Sequence, residues 1–256
     1  METSPRPIAL VTFDLYDTLI ELIPPRWERL ASALGRNGIQ AGAIALRAAD
    51  RVAEEFYTAE NGQLPIRDRS TQARETFRLA YMARWLGAAG LPDDDVTTRA
   101  ARRAYRAEFE ADAEGGDYAV YPDVMPALAR LRAAGVARAI ISNADDDVTE
   151  LCTHLAFAHE MDLIVTSALV GWEKPDPRTF HAALDPLSVA PADALHIGDQ
   201  PGSDILGARG IGMRAALLDR YDRHADPGDG VLRVQTLVEL ADYVVAHNAA
   251  AHATTA

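Results

Sequence analysis

Asp14 ends the apolar run from Ile8 to Phe13, Ser142 and Asn143 end the run from Val136 to Ile141, and Asp199 with Asp204 follows Ala194 to Ile197. Lys174 lies one loop beyond a fourth such run, Leu163 to Thr166. Short β-branched runs of this kind read as buried parallel strands, and ligands bind such sheets at the carboxyl ends of the strands. Singly, these polar groups are ordinary turn residues. Together they would place three carboxylates, a hydroxyl and one ammonium around a single crevice. Clustered carboxylates repel one another and favour a shared hard cation such as Mg2+. That cation would draw in an anionic substrate, whose charge Lys174 would share.

Lys174 is the single lysine of the chain, against 24 arginines. An ammonium is a compact point charge, whereas a guanidinium is a wide planar fork. A tight anionic pocket accounts for a lysine that persists against the bias. Considered alone, a chance survivor on a solvated loop accounts for it equally well.

The elements that would position these groups alternate from Tyr121 onward. Helices are expected over Val124–Ala134, Asp146–Phe157, Pro177–Leu184, Asp204–Arg209 and Thr236–Ala246, with strands between them, the last over Met213–Leu218. This alternation predicts an α/β fold, a doubly wound parallel sheet of Rossmann-like type with helices on both faces. Residues 21–114 carry helical periodicity instead, about four helices with breaks near Gly38, Asn61 to Pro65, and Gly87 to Pro92. They form an insertion after the first strand, so the core comprises residues 1–20 and 115–246. Residues 247–256 are expected to be a disordered tail.

A formal net charge of -13 argues against a nucleic-acid partner, since phosphate backbones demand clustered cations. The arginines at 99, 102, 103 and 106 are balanced by the acids that follow them, as on a solvated helix. No apolar run approaches the roughly 20 residues of a membrane span, and no signal-peptide layout opens the chain. A lone cysteine, Cys152, excludes an intrachain disulfide and fits a reducing compartment, so a cytoplasmic location is expected. In its apolar helical setting it reads as a small buried hydrophobe. His196 reads as a packed core histidine, Trp172 as packing near the site mouth, and the aromatics of the helical block as its core. The acid run Asp145-Asp146-Asp147 reads as the cap of the next helix. Monomer and homodimer are equally open.

In order and spacing these segments resemble the haloacid dehalogenase superfamily, most of whose members are phosphatases. D-L-Y-D-T-L at Asp14 to Leu19 is similar to the nucleophile loop, I-I-S-N at Ile140 to Asn143 to the second motif, and E-K-P-D-P at Glu173 to Pro177 to the third. H-I-G-D-Q-P-G-S-D at His196 to Asp204 is similar to the acidic fourth motif. The helical block sits where many members carry a cap. The resemblance implies that Asp14 is the nucleophile of a covalent aspartyl intermediate and that Thr18 orders its loop. Ser142 and the backbone N–H beside it at Asn143 would bind the transferring group, and Lys174 would neutralise nucleophile and substrate. Mg2+ would be held by Asp14, the carbonyl of Tyr16, Asp199 and, directly or through water, Asp204. The substrate implied is a small phosphorylated metabolite.

One position departs from the phosphatase pattern. Phosphatases of the superfamily usually carry a second aspartate two residues after the nucleophile, as acid and base, and Tyr16 stands there. The next residue, Asp17, stands where glycine is common, and alternation along an extended loop points it elsewhere. A tyrosine at this place is what the metal-independent 2-haloacid dehalogenases carry. Their fourth motif usually lacks its first acid, which is present here as Asp199. They also need a cap arginine, and Arg36, Arg47 and Arg51 are candidates in a chain rich in arginine. A third reading is a catalytically impaired protein that binds a phosphorylated ligand or a partner. The intact acids and lysine favour the metal-dependent phosphatase.

Overall fold

The computed structural model describes residues 6–111, 117–224 and 227–255. The chain divides into two compact units, Met1–Ile20 with Val120–Ala256, and Glu21–Ala119. The sequence-based boundary at 114/115 lies outside the described residues.

The first unit contains β1 (Leu10–Phe13), α5 (Val124–Ala133), β4 (Ala137–Ser142), α6 (Thr149–His154), β5 (Leu163–Thr166), α7 (Ser167–Val170) and α8 (Pro177–Leu187). It continues with β6 (Ala194–Gly198), a wide π turn over Pro201–Ile205, α9 (Leu206–Gly210), β7 (Arg214–Leu218), β8 (Leu232–Val234) and α10 (Leu237–Thr255). Six strands form one parallel sheet in the order β5-β4-β1-β6-β7-β8. The chain winds outward from β1 in both directions, so β1 and its neighbours flank the point where the winding reverses, the place such sheets bind ligands. The sheet is the doubly wound α/β arrangement that the alternation predicts.

Burial holds the layers together. Leu10, Ile141, Val165 and Leu217 on one face of the sheet pack with Phe180 and Leu184 of α8 and Ala208 of α9 in a single cluster. Alternation turns Val11, Phe13 and Ile140 to the opposite face, where they are equally buried. At about 25 cal/mol per Å2 of apolar surface removed from water, this burial is the main force holding helices to sheet. In register, Phe13 pairs with Ile140 on one side and Ile197 on the other, so the residues that follow these three strands emerge side by side.

The second unit is helical: α1 (Arg26–Arg36), α2 (Ala43–Gln63), α3 (Thr71–Ala88) and α4 (Asp95–Ala111). Its core is the expected aromatic stripe. Phe56, Tyr57, Phe77, Tyr81, Trp85 and Tyr105 pack ring against ring, and the Trp85 indole donates to the Leu46 carbonyl at 2.8 Å. The buried Asp50 accepts two hydrogen bonds of 2.9 Å from Arg26. The short strands β2 (Ile20–Ile23) and β3 (Asp117–Val120) pair where the chain passes between the units.

Several local expectations differ from the structure. β2, β3 and β8 have only three or four residues each, too few for a period-2 signal. The helix expected over Asp146–Phe157 is confined to α6, and the acid run does not cap it as expected: the N-cap is Val148, without a side-chain cap bond, and Asp147 accepts from Thr149 N and Thr149 Oγ1 in the turn just before it. The helix expected from Asp204 begins earlier, in the π turn, with Asp204 inside it. Residues 247–255, expected to be a disordered tail, continue α10. Alanine favours helix, and Asn248 brackets the backbone of Ile8, its Oδ1 accepting from Ile8 N at 2.7 Å and its Nδ2 donating to Ile8 O at 2.9 Å. Asn248→Ala should therefore cost about 1–2 kcal/mol in urea unfolding, two hydrogen bonds being lost.

Candidate active site

Five loops deliver polar groups to the carboxyl end of the sheet, and a buried ammonium ties three of them together. Lys174 Nζ lies 2.6 Å from Asp14 Oδ1 and 2.6 Å from Asp204 Oδ1, and its side chain is 2% exposed. Asp14 follows β1, Lys174 follows α7, and Asp204 lies in the π turn after β6. The backbone of Lys174 is held as firmly as its side chain. Asn143 Oδ1 accepts from Lys174 N at 2.7 Å while Asn143 Nδ2 donates to Lys174 O at 2.9 Å. Of the two residues that end β4, Asn143 therefore sets the lysine, and Ser142 is left for other work. The Ser142 hydroxyl is fully buried and has no hydrogen-bond partner among the described residues, a costly state for a polar group unless a ligand completes it.

Thr18 Oγ1 donates to Asp14 Oδ2 at 3.4 Å, closing the loop after β1 on itself. Arg220, in the turn after β7, holds that loop from behind by donating to Thr18 O at 2.8 Å and to Asp123 Oδ2 at 2.9 Å. Tyr16 is half-buried, and its backbone makes an isolated β-bridge with Ile20. Asp17 has φ 57, in the left-handed region that glycine favours. Extended alternation therefore fails at this residue, contrary to the sequence-based expectation. Its charge reaches Asp199 and ranks ahead of that of Asp14 there.

The acids cluster tightly. Oxygens of Asp14, Asp199 and Asp204 lie within 4.8 Å of one another. Such an all-oxygen set suits a hard cation. The approach of Asp204 depends on Gly198, where an added Cβ would stand 2.2 Å from Asp204 Oδ2. Asp204 is fully engaged, with Oδ1 taking Lys174 and His196 Nε2, and Oδ2 taking Gln200 N at 3.0 Å. Asp199 Oδ2 accepts from Gln200 Nε2 at 2.9 Å, and Arg223 approaches it to 3.8 Å.

Charge is unevenly shared in consequence. Burial raises the pKa of Asp204, but Lys174 and His196 outweigh it and hold the carboxyl below its ordinary range. Burial also works against the Lys174 ammonium, and Asp14 and Asp204 more than reverse this, so its pKa is raised. Asp14 is pushed up to about 6, mainly by burial and further by Asp204, with Lys174 opposing. Asp199 is pushed up well above its ordinary value by burial, then by Asp17, Asp14 and Asp204. Asp14 and Asp199 thus hold their protons more tightly than ordinary carboxyls, and their ionised forms are the least compensated of the three acids.

Trp172 lies beneath the Arg178 guanidinium, 3.0 Å from the ring centre, and is 42% exposed. Arg178 in turn donates to Asp176, which caps α8. Cys152 is buried and its thiol is pushed up to about 12, chiefly by burial, in keeping with a packing role. His196, Gly198, Arg220 and Arg223 were not singled out for the site by sequence reasoning. His196 and Gly198, inside the acidic motif, offered a signal, and Arg220 and Arg223 offered none.

The comparisons with known proteins agree with this architecture. The profile of haloacid dehalogenase-like hydrolases matches residues 8–212. The chain belongs to that family and is an enzyme of the hydrolase class. Haloacid dehalogenase-like hydrolase domain-containing protein 3 of Mus musculus is 32% identical over 239 residues, covering 87% of this chain and 89% of its own. A glyceraldehyde 3-phosphate phosphatase of Methanopyrus kandleri is 31% identical over 207 residues, covering 80% and 82%. Among solved structures, a 2-haloacid dehalogenase from Pseudomonas syringae is similar with a TM-score of 0.53 and 26% identity, covering 93% of this chain and 98% of that one. No helix among the described residues is long and apolar enough to cross a membrane.

Two measurements test the electrostatics. The raised pKa of Asp14 means that the folded state binds the extra proton, so ionised Asp14 costs stability, and the cost grows as pH rises from about 4 to about 6. With chelator present, Asp14→Asn should exceed wild type in unfolding free energy by about 2–3 kcal/mol at pH 7 and match it near pH 4. Gly198→Ala should cost about 1–3 kcal/mol in the same assay through the clash with Asp204.

Proposed function

We propose that the protein is a Mg2+-dependent phosphatase of a small phosphorylated metabolite, with Asp14 as nucleophile. The observation that carries this is the excess of buried carboxylate around a single buried ammonium, beside an unpartnered hydroxyl. A dianionic phosphoryl group could not approach such a crevice without a cation. Asp14 and Asp199, with the Tyr16 carbonyl, would hold Mg2+, and Asp204 would support them through its bonds to Lys174. When bound, the ion would supply charge neutralisation for the incoming phosphoryl group. The likeness to a glyceraldehyde 3-phosphate phosphatase supports the phosphoryl chemistry.

Asp14 then attacks phosphorus, forming an O–P bond as the bond to the leaving oxygen breaks. Ser142 Oγ–H and the neighbouring backbone N–H donate to the phosphoryl oxygens, and Lys174 spreads their charge over its own. Water hydrolyses the aspartyl phosphate, releasing inorganic phosphate and restoring Asp14. The leaving oxygen must take a proton. Tyr16, with an ordinary phenol pKa near 10, is a weaker donor than a carboxyl group, so substrates whose leaving group needs little protonation should react best. We assign to the helical insertion the role of a cap that excludes water and selects the substrate. The single cysteine supports a cytoplasmic setting.

Tyr16 also favours a second reading, metal-independent displacement of halide from a 2-haloacid, and the similarity to a 2-haloacid dehalogenase agrees with it. In that chemistry Asp199 would have no cation to serve.

Inorganic phosphate release from a panel of phosphorylated metabolites, with Mg2+ or excess chelator, separates the readings. Metal-dependent release is expected. Metal-free halide release from 2-haloacids without phosphate release would replace the proposal. Asp14→Asn should abolish turnover with the fold intact, and Lys174→Arg should lower kcat about tenfold or more because a planar fork cannot meet Asp14 and Asp204 from one point. Tyr16→Asp should speed hydrolysis of alkyl phosphates, whose leaving groups most need an acid.

A further inference from the structure

His196 is wholly buried and has no part in the reaction above, yet its ring is bonded on both sides. Nδ1 stands 2.8 Å from Thr12 Oγ1, and Nε2 stands 3.2 Å from Asp204 Oδ1. Thr12 and His196 are register partners on β1 and β6, so the sheet itself fixes one of the two contacts. Phe180 meets the ring edge-on at 5.2 Å. A position between Leu195 and Ile197 that needed only volume would be filled by an apolar side chain, without two ring nitrogens to bury.

The hydrogen-bond directions follow from the partners. An ionised Asp204 can only accept, so Nε2 carries a hydrogen and donates it. Burial, the largest influence on this ring, keeps it neutral by lowering its pKa. Nδ1 is then an acceptor, and the Thr12 hydroxyl donates to it. The result is a chain of polar contacts, Thr12 to His196 to Asp204 to Lys174 to Asp14, running from inside the sheet to the nucleophile.

We propose that His196 is a positioning residue whose Nε2–H fixes the Asp204 carboxylate, so that Oδ1 meets Lys174 Nζ and the ammonium is held against Asp14. Oδ2 of Asp204 is tied to Gln200 N, and at Oδ1 the imidazole, fixed in the sheet, sets the angle at which the carboxylate meets the mobile end of Lys174. Without it, the carboxylate turns and the ammonium follows, away from Asp14. The inference rests on the catalytic reading of Asp14 and Lys174, but its test does not depend on turnover.

The single lysine makes the test direct. Protein labelled with 15N at the lysine ε position gives one side-chain signal, that of Lys174. His196→Leu should shift and broaden that signal and lower kcat on p-nitrophenyl phosphate about tenfold, with KM within about twofold. His196→Gln, which retains an N–H donor, should restore both. Leu128→Ala, a core truncation in α5, controls for lost stability and should leave the signal in place. In wild type labelled with [15N]histidine, the His196 ring should be the Nε2–H tautomer. A lysine signal in His196→Leu like that of the α5 control, a Gln variant no better than Leu, or a hydrogen on Nδ1 in wild type would each overturn the proposal. Absence of phosphatase turnover in wild type would count against the phosphatase reading alone, and the lysine and histidine signals would still decide the role of His196.

Discussion

An ammonium taken out of water is tolerable only when carboxylates replace its hydration, and the placement of Lys174 between Asp14 and Asp204 is the constraint to which the rest of the core unit answers. Both carboxylates must reach one point from separate elements. β1 brings Asp14 straight off the sheet, whereas Asp204 returns through a π turn that brings its carboxylate to within 2.2 Å of where a side chain on Gly198 would begin. The lysine sits on a loop whose backbone Asn143 grips by both its donor and its acceptor. Four strand ends are thereby locked into one arrangement. Sheet register sets their spacing, and short polar contacts set their angles.

The same arrangement is a poor solution for stability considered alone. Two of three clustered acids sit well above their ordinary pKa, and a buried serine hydroxyl goes without a partner. A protein selected only to fold would have replaced some of these groups with apolar ones. Two other buried acids are held under different terms. Asp50 receives two hydrogen bonds from Arg26, and Asp219 receives bonds from Arg223 N, His224 N and Arg233.

Much of this was legible in the sequence because strand ends are local features. An apolar β-branched run that stops at an aspartate announces both the strand and the residue it delivers, and the alternation after Tyr121 gave the winding of the sheet. Other features escaped because they join distant residues. The grip of Asn143 on Lys174 spans 31 positions and uses main-chain atoms, which no side-chain pattern records. His196 has the surroundings of a core residue and is one, and its second partner is found only when β6 lies beside β1. At Asp17, alternation misled because a left-handed residue interrupts the extended chain. The last turns of α10 looked like loose alanines until Asn248 met Ile8.

A chain whose one lysine is 3% exposed offers solvent no ε-amine. Reagents that acylate amines therefore find no lysine side chain on the surface. When acylation of Lys174 does occur, it records an opening of the site. The rate of a simple labelling reaction then becomes a clock for how often the buried ion pairs part.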